Sequence, residues 1–140
     1  MKIAIRYFTK SKKGNTKKLA DTVSEVLGIE ALTIENKLEE KVDKLFLVNA
    51  MYAFDIDKSI KNFLKENKDN IGEIFNVNSA ASGSSTHKSV KKVCDKLGIA
   101  ISNKEFHCVG SWININKGRP NEEELNKLKE FVIEMAKDEK

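Results

Sequence analysis

At 140 residues the chain has the length of one domain and can fold without a disulfide or metal staple. Its two cysteines, Cys94 and Cys108, exclude a disulfide scaffold and a zinc knuckle, and no apolar run approaches the ~18 residues of a membrane span. A net charge of +4 with 33% charged residues leaves phosphates and acidic partners open, while no interleaved aromatics or reading module point to nucleic acid.

Residues 2–8, KIAIRYF, are β-branched and aromatic and predict the first strand. Leu19, Ala20, Val23, Val26 and Leu27 then recur at helical spacing over 16–27, and Gly28 follows as a C-terminal cap signal. Residues 29–34 predict a short second strand, and the charged stretch 35–42 a single helical turn. The near-continuous apolar run 44–49, KLFLVN, is what a parallel strand buried on both faces requires.

The alternation continues in the second half. Ile56, Ile60, Phe63 and Leu64 mark a helix starting near Asp57, and 73–78 predict the fourth strand. Val90, Val93, Cys94 and Leu97 line a helix that ends at Gly98, and 104–109 predict the fifth strand. The last helix opens at Pro120-Asn121-Glu122-Glu123-Glu124, with Asn121 as N-cap, acids at its positive end, and a buried stripe of Leu125, Leu128, Phe131, Val132 and Met135. Strands alternating with helices imply right-handed parallel crossovers, hence a three-layer α/β/α sandwich on a five-stranded parallel sheet with about five helices. In such sheets ligands bind beyond the carboxyl ends of the strands where the strand order reverses, so chemistry belongs in the loops after strands one, three and four.

The first of these loops, Thr9-Lys10-Ser11-Lys12-Lys13-Gly14-Asn15-Thr16, is hydroxyl-rich and enters a helix N-terminus, where unpaired amides and the helix dipole favour an anion. Gly14 lets the backbone approach closely, and the Asn-Thr that follows it is not the Lys-Ser/Thr of a Walker loop. Taken locally, the same residues read equally well as a helix cap after a turn. The basic cluster Lys10, Lys12, Lys13, Lys17 and Lys18 reads first as a solvated face, second as attraction for a phosphate or an acidic partner. Arg6 falls within a central strand and calls for a paired carboxylate or a route to the sheet edge. His87 and His107 have no Ser, Cys or Asp companion at triad spacing, and no residue group has metal-ligand spacing.

The run Tyr7-Phe8-Thr9-Lys10-Ser11…Gly14-Asn15-Thr16-Lys17-Lys18-Leu19-Ala20 resembles the flavodoxin phosphate loop: an aromatic-ended strand, Ser/Thr-x-Thr/Ser-Gly-Asn-Thr, then a helix. Val48-Asn49-Ala50-Met51-Tyr52-Ala53-Phe54 is similar to the family's second flavin loop, Ser79-Ala80-Ala81-Ser82-Gly83-Ser84 to its third, and Phe106-x-Cys108-x-Gly110 with Gly118-Arg119-Pro120-Asn121 to its end. The resemblance implies the flavodoxin-like strand order 2-1-3-4-5 and FMN as cofactor. By position it implies that Thr9, Lys10, Ser11, Gly14, Asn15 and Thr16 hold the FMN phosphate. Ala50, Met51 and Tyr52, with Ala53 beside them, flank the isoalloxazine ring, Tyr52 by stacking. Ala80, Ala81, Ser82 and Gly83 offer backbone to the pyrimidine edge. Trp112, after Gly110, reads as a packing residue or as a cover over the flavin. Three features depart from the family pattern. Lys12 and Lys13 lengthen the first loop, Asn49-Ala50 stands where glycine is common, and the chain is basic where many flavodoxins are acidic. A cationic surround favours anionic reduced flavin, so a less negative two-electron potential is expected.

The expected function is therefore FMN-based electron transfer between redox partner proteins, some of them acidic. The protein is expected to be monomeric and cytoplasmic, with no nucleic acid or membrane partner. An FMN-dependent NAD(P)H:quinone-type reductase and a flavodoxin-like module without flavin are the alternatives.

Overall fold

The computed structural model describes residues 1–10, 14–52, 54–111 and 116–137. Its elements run β1 (Ile3–Tyr7), α1 (Asn15–Leu27), β2 (Ala31–Thr33), β3 (Val42–Ala50), α2 (Lys58–Asn67), β4 (Ile71–Ala80), α3 (His87–Leu97), β5 (Ala100–Ile101), β6 (Phe106–Val109) and α4 (Glu122–Met135). All strands pair in parallel in the order β2-β1-β3-β4, and β5 and β6 both pair with β4 on its far side. This is the 2-1-3-4-5 sandwich, with the fifth position divided between two short strands.

The division follows the register against β4. β5 matches Glu73 and Ile74 of β4, β6 matches Val77 to Ala80, and the register passes over Phe75 and Asn76. Between the strands Ser102 Oγ accepts from the Lys104 amide at 3.1 Å, turning the chain, and Glu105 carries its carboxylate out to Ser85 and His87. Two further expectations are corrected. Residues 35–42 form no helical turn, and the described residues hold four α-helices with one short 3-10 turn, not five helices. The segment 35–42 is instead held by Arg6, whose guanidinium donates to the carbonyls of Asn36 (2.7 Å), Lys37 (3.3 Å) and Ile5 (3.0 Å). The buried arginine is thus met by backbone oxygens, not by a paired carboxylate; burial lowers its pKa and Glu39 offsets this in part.

β3 shows why a parallel strand needs its apolar run. Leu45 and Leu47 face α2 and α3 with Ile60, Leu64, Ile74 and Val90, while Phe46 and Val48 face α1 and α4 with Leu19, Val23, Val77 and Leu128. The Phe46 and Phe75 rings stack at 5.4 Å. Lys44 breaks the run and lies buried; its ammonium donates to the carbonyls of Met135 (2.6 Å) and Lys137 (2.7 Å), so the cation meets the negative end of α4. Cys94 and Cys108 are buried, and burial pushes both thiols up to about 12, which leaves them unreactive. No helix among the described residues is long and apolar enough to cross a membrane.

α4 starts where its sequence signals. Asn121 Oδ1 accepts from the Glu124 amide at 3.0 Å, and Glu124 Oε1 accepts from the Asn121 amide at 2.9 Å, closing a capping box. Arg119 pairs with the same carboxylate in a fork, Nη2 to Oε2 at 2.8 Å, and this holds Glu124 below its ordinary value of 4.5. A carboxyl depressed in the folded state stabilises fully above its unfolded pKa and stops doing so as pH falls through the folded one. Glu124→Gln is therefore expected to cost about 1 kcal/mol at pH 7, after discounting for the partly exposed arginine. Melting of both proteins from pH 7 down to pH ~3 should show the gap closing below about pH 4.5. A gap that stayed constant over that range would assign it to the helix cap alone.

Candidate functional site

The reversal point of the sheet lies between β1 and β3, and the loops leaving β1, β3 and β4 meet at its carboxyl edge. The first loop departs as Phe8, whose amide continues the ladder to Val48 O at 3.1 Å. It re-enters α1 through Gly14, an extended N-cap (φ −91°, ψ 174°) with no side-chain hydrogen bond to the helix. α1 also has no acid in its first turn, whereas α2 is capped by the Asp57 carboxylate and α4 by its capping box. α3 likewise has no side-chain cap and no acid in its first turn; what sets α1 apart is its glycine cap and its place at the reversal point of the sheet.

Asn15 does not aim freely at that space. Its Nδ2 donates to Ser111 O at 2.8 Å, and its Oδ1 accepts from Ser111 Oγ at 3.1 Å. Gly110 makes this possible, because a Cβ there would lie 2.8 Å from Asn15 Nδ2 and 3.3 Å from Ser79 Cβ. The amide pair ties the start of α1 to the segment leaving β6. Thr16 is buried at the same helix end.

The second loop begins with Ala50 beside Ser79 in the β3–β4 register, and the Met51 amide donates to Ser79 O at 3.3 Å. Tyr52 and Asp55 exchange two backbone hydrogen bonds, 2.8 and 3.0 Å, which close a tight turn. Phe54 sits in that turn with φ 66° and is 91% exposed. Tyr52 bridges to the first loop. Its hydroxyl accepts from the Lys10 amide at 3.3 Å, its ring meets Phe8 edge-on at 6.4 Å, and Lys10 Nζ lies 4.5 Å over the ring centroid. Lys10 Nζ also stands 3.5 Å from Asp57. Hydrogen bonds from Lys61 to Asp55, and from Ser59 to Asp57, hold both carboxyls below the usual range.

The third loop carries only small side chains. Ala80 ends β4, Gly83 turns at φ 78° with its amide on Ala80 O at 2.9 Å, and Ser82 Oγ donates to Ser84 Oγ at 2.9 Å. A Cβ on Gly83 would press Val109 Cγ2 at 3.2 Å. Two donors from outside grip this loop: Asn116 Nδ2 on Ala81 O at 2.8 Å, and His107 Nδ1 on Gly83 O at 3.0 Å.

Beneath the second and third loops lies a closed polar ring. Asn49 Nδ2 donates to Asn76 Oδ1 (2.7 Å), Asn76 Nδ2 to Thr86 Oγ1 (3.0 Å), and Thr86 Oγ1 to Asn49 Oδ1 (2.6 Å), with all three residues 0% exposed. Asn78 extends it, accepting from the Thr86 amide at 3.1 Å and donating to Ser84 O at 3.0 Å. The ring fixes the N-terminus of α3 and the exit of the third loop against two strands.

The structure thus places Thr9, Lys10, Gly14, Met51, Tyr52, Ala81, Ser82 and Gly83 in three loops on one edge, with Asn15, Thr16, Ala50 and Ala80 at the helix and strand ends that bound them; Ser11, Ala53 and Trp112 lie outside the described residues. Sequence reasoning missed the ring, Ser111 and Asn116. The signal available for the ring was asparagine inside apolar strands, at Asn49 and in Asn76-Val77-Asn78.

The fold is shared widely. An archaeal flavodoxin superposes with a TM-score of 0.76 at 13% identity, covering 97% of this chain and 96% of that one. Oxidised flavodoxin 1 from Bacillus cereus gives 0.70 at 19%, over 99% and 98%. The Flv1 flavodiiron core from Synechocystis sp. gives 0.72 at 14%, over 96% of this chain and 34% of that one. No protein-family model matches the sequence, and no curated protein matches it.

Proposed function

We propose that this chain, whose fold is that of the flavodoxins, holds FMN at the carboxyl edge of its sheet and passes electrons through it. The observation that supports this most directly is the start of α1. It is a helix N-terminus with a glycine cap, no capping side chain and no acid in its first turn, set at the reversal point of the sheet. FMN, when bound, supplies the redox chemistry, and the residues of the three loops position it.

In this reading the amides of Gly14, Asn15 and Thr16 take the phosphate, with Thr9 and Ser11 on the same loop. Tyr52 lies beside the ring and is itself steadied by Phe8 and Lys10. Ala50 and Met51 on one side, and Ala80 to Gly83 on the other, offer backbone without bulk. The carriers it serves are redox proteins.

The visible spectrum of the purified protein, taken before and after FMN addition and desalting, tests the reading. A retained, perturbed flavin spectrum is expected, and a protein that keeps no flavin overturns it. Lys17→Glu sharpens the test. Lys17 is half-exposed in the first turn of α1, and among the described residues its ion pair is with Asp21. A glutamate there suits the helix dipole but repels a phosphate, so melting without FMN should move by less than about 0.5 kcal/mol. FMN affinity should fall about tenfold, a change of about 1.4 kcal/mol.

A further inference from the structure

A cleft of about 400 Å³ opens between the turn at 52–55 and the helices α2 and α3, lined by Phe54, Lys61, Lys88, Lys92, Val93 and Lys96 among others. Two locally unfavourable features meet on it. Phe54 holds a left-handed backbone, uncommon for a bulky residue, and exposes 91% of itself to water. Lys88, Lys92 and Lys96 follow one another at four-residue spacing on α3, all exposed, and like charges at that spacing destabilise a helix.

On other helix faces three lysines do meet a carboxylate four residues away: Lys17 with Asp21, Lys91 with Asp95, Lys127 with Glu123. The three on the cleft have no ion-pair partner among the described residues. The one carboxylate lining the cleft, Asp55, is taken by Lys61 at 2.8 Å and leaves the stripe uncompensated.

We propose that this cleft docks an acidic segment of a partner protein, with carboxylates along the lysine stripe and an apolar side chain between Phe54 and Val93. The spacing suits it: successive lysines stand about 6 Å apart along α3. Alternate residues of an extended chain are separated by about 6.8 Å. A buried aromatic anchor with a charged surround is the usual construction of a protein interface. A single-stranded nucleic acid would instead need a series of stacking rings, and the cleft has one. The assignment rests on the cleft's own residues and stands whether or not FMN binds.

Titration of the isotope-labelled protein with a synthetic peptide in which glutamates alternate with serines around one leucine tests this by amide chemical shifts. An oligothymidylate of similar length serves as the competing probe. Shifts are expected at Phe54, Lys88, Lys92 and Lys96, with affinity falling as salt rises. The triple variant Lys88→Gln, Lys92→Gln, Lys96→Gln should weaken the peptide at least about fivefold, with melting unchanged or raised and flavin retention as in the parent, and Phe54→Ser should weaken it about threefold. Undiminished peptide binding by the triple variant, shifts confined to other surfaces, or tighter binding of the oligothymidylate than of the peptide would each overturn the proposal. Flavin retention, read separately on the parent and the triple lysine variant, reports on the FMN reading alone.

Discussion

Thr86→Val is expected to cost about 2–5 kcal/mol, because it strips a buried ring of the hydroxyl that both donates and accepts. Valine has nearly the shape of threonine, so no cavity opens. What changes is that Asn49 Oδ1 loses its donor and Asn76 Nδ2 loses its acceptor, in a place where all three residues are 0% exposed. For a chain of this size that corresponds to a drop of roughly 7–17 °C in Tm. Thr86→Ser keeps the hydroxyl and should lose less than about 1.5 kcal/mol, the cost of one methyl group. Equal melting of the valine and serine variants would show that the ring contributes little. The ring also orients the loops that follow Asn49 and Asn78, so the valine variant is expected to retain FMN less well than the serine variant.

Gly72→Ala is the second large effect, and here backbone meets backbone. A Cβ at Gly72 would stand 2.6 Å from Asp43 O and 2.9 Å from Val42 O, both on the neighbouring strand β3. A flexible side chain could move aside; a carbonyl in the central strand pair cannot without opening the ladder between β3 and β4. The alanine also restrains the unfolded chain, which favours folding by about 0.4–1 kcal/mol. Overpacking of this kind typically costs about 1–3 kcal/mol and exceeds that gain. A clear fall in denaturation midpoint is expected, and a midpoint equal to or above that of the parent would mean that the strands separate easily at this end.

How much was legible in advance depended on whether a feature is local. Val23 and Leu27, or Leu128 and Val132, announce a helix face by spacing alone, and Asn121 with Glu124 announces a cap, because both signals lie within one or two turns. The fifth strand expected over 104–109 is β6, whereas β5 at Ala100–Ile101 lies outside that range and had no sequence signal of its own. The break into β5 and β6 arises from register against β4 and from Glu105 turning toward Ser85 and His87, neither of which is a neighbour in the strand. Arg6 announced its burial but not its partners, because backbone carbonyls at Asn36 and Lys37 leave no mark in side-chain identity.

The sequence by itself therefore determined the alternation of strands and helices, the parallel sheet with its carboxyl edge as the place for chemistry, and the three loops that reach it. Hydrophobic period and cap residues are local, and the handedness of crossovers leaves few ways to assemble them. Only the tertiary structure decided what supports those loops and what they present. Asn49, Asn76 and Thr86 lie up to 37 positions apart and become a ring only when β3, β4 and α3 pack. Asn15 and Ser111, 96 positions apart, meet only because Gly110 has no side chain to separate them. Lys88, Lys92 and Lys96 are an unremarked stretch of helix until the turn at 52–55 sets Phe54 beside them. Polar groups brought together by packing carry no periodic signal, because their partners are chosen by the fold rather than by the chain on either side of them.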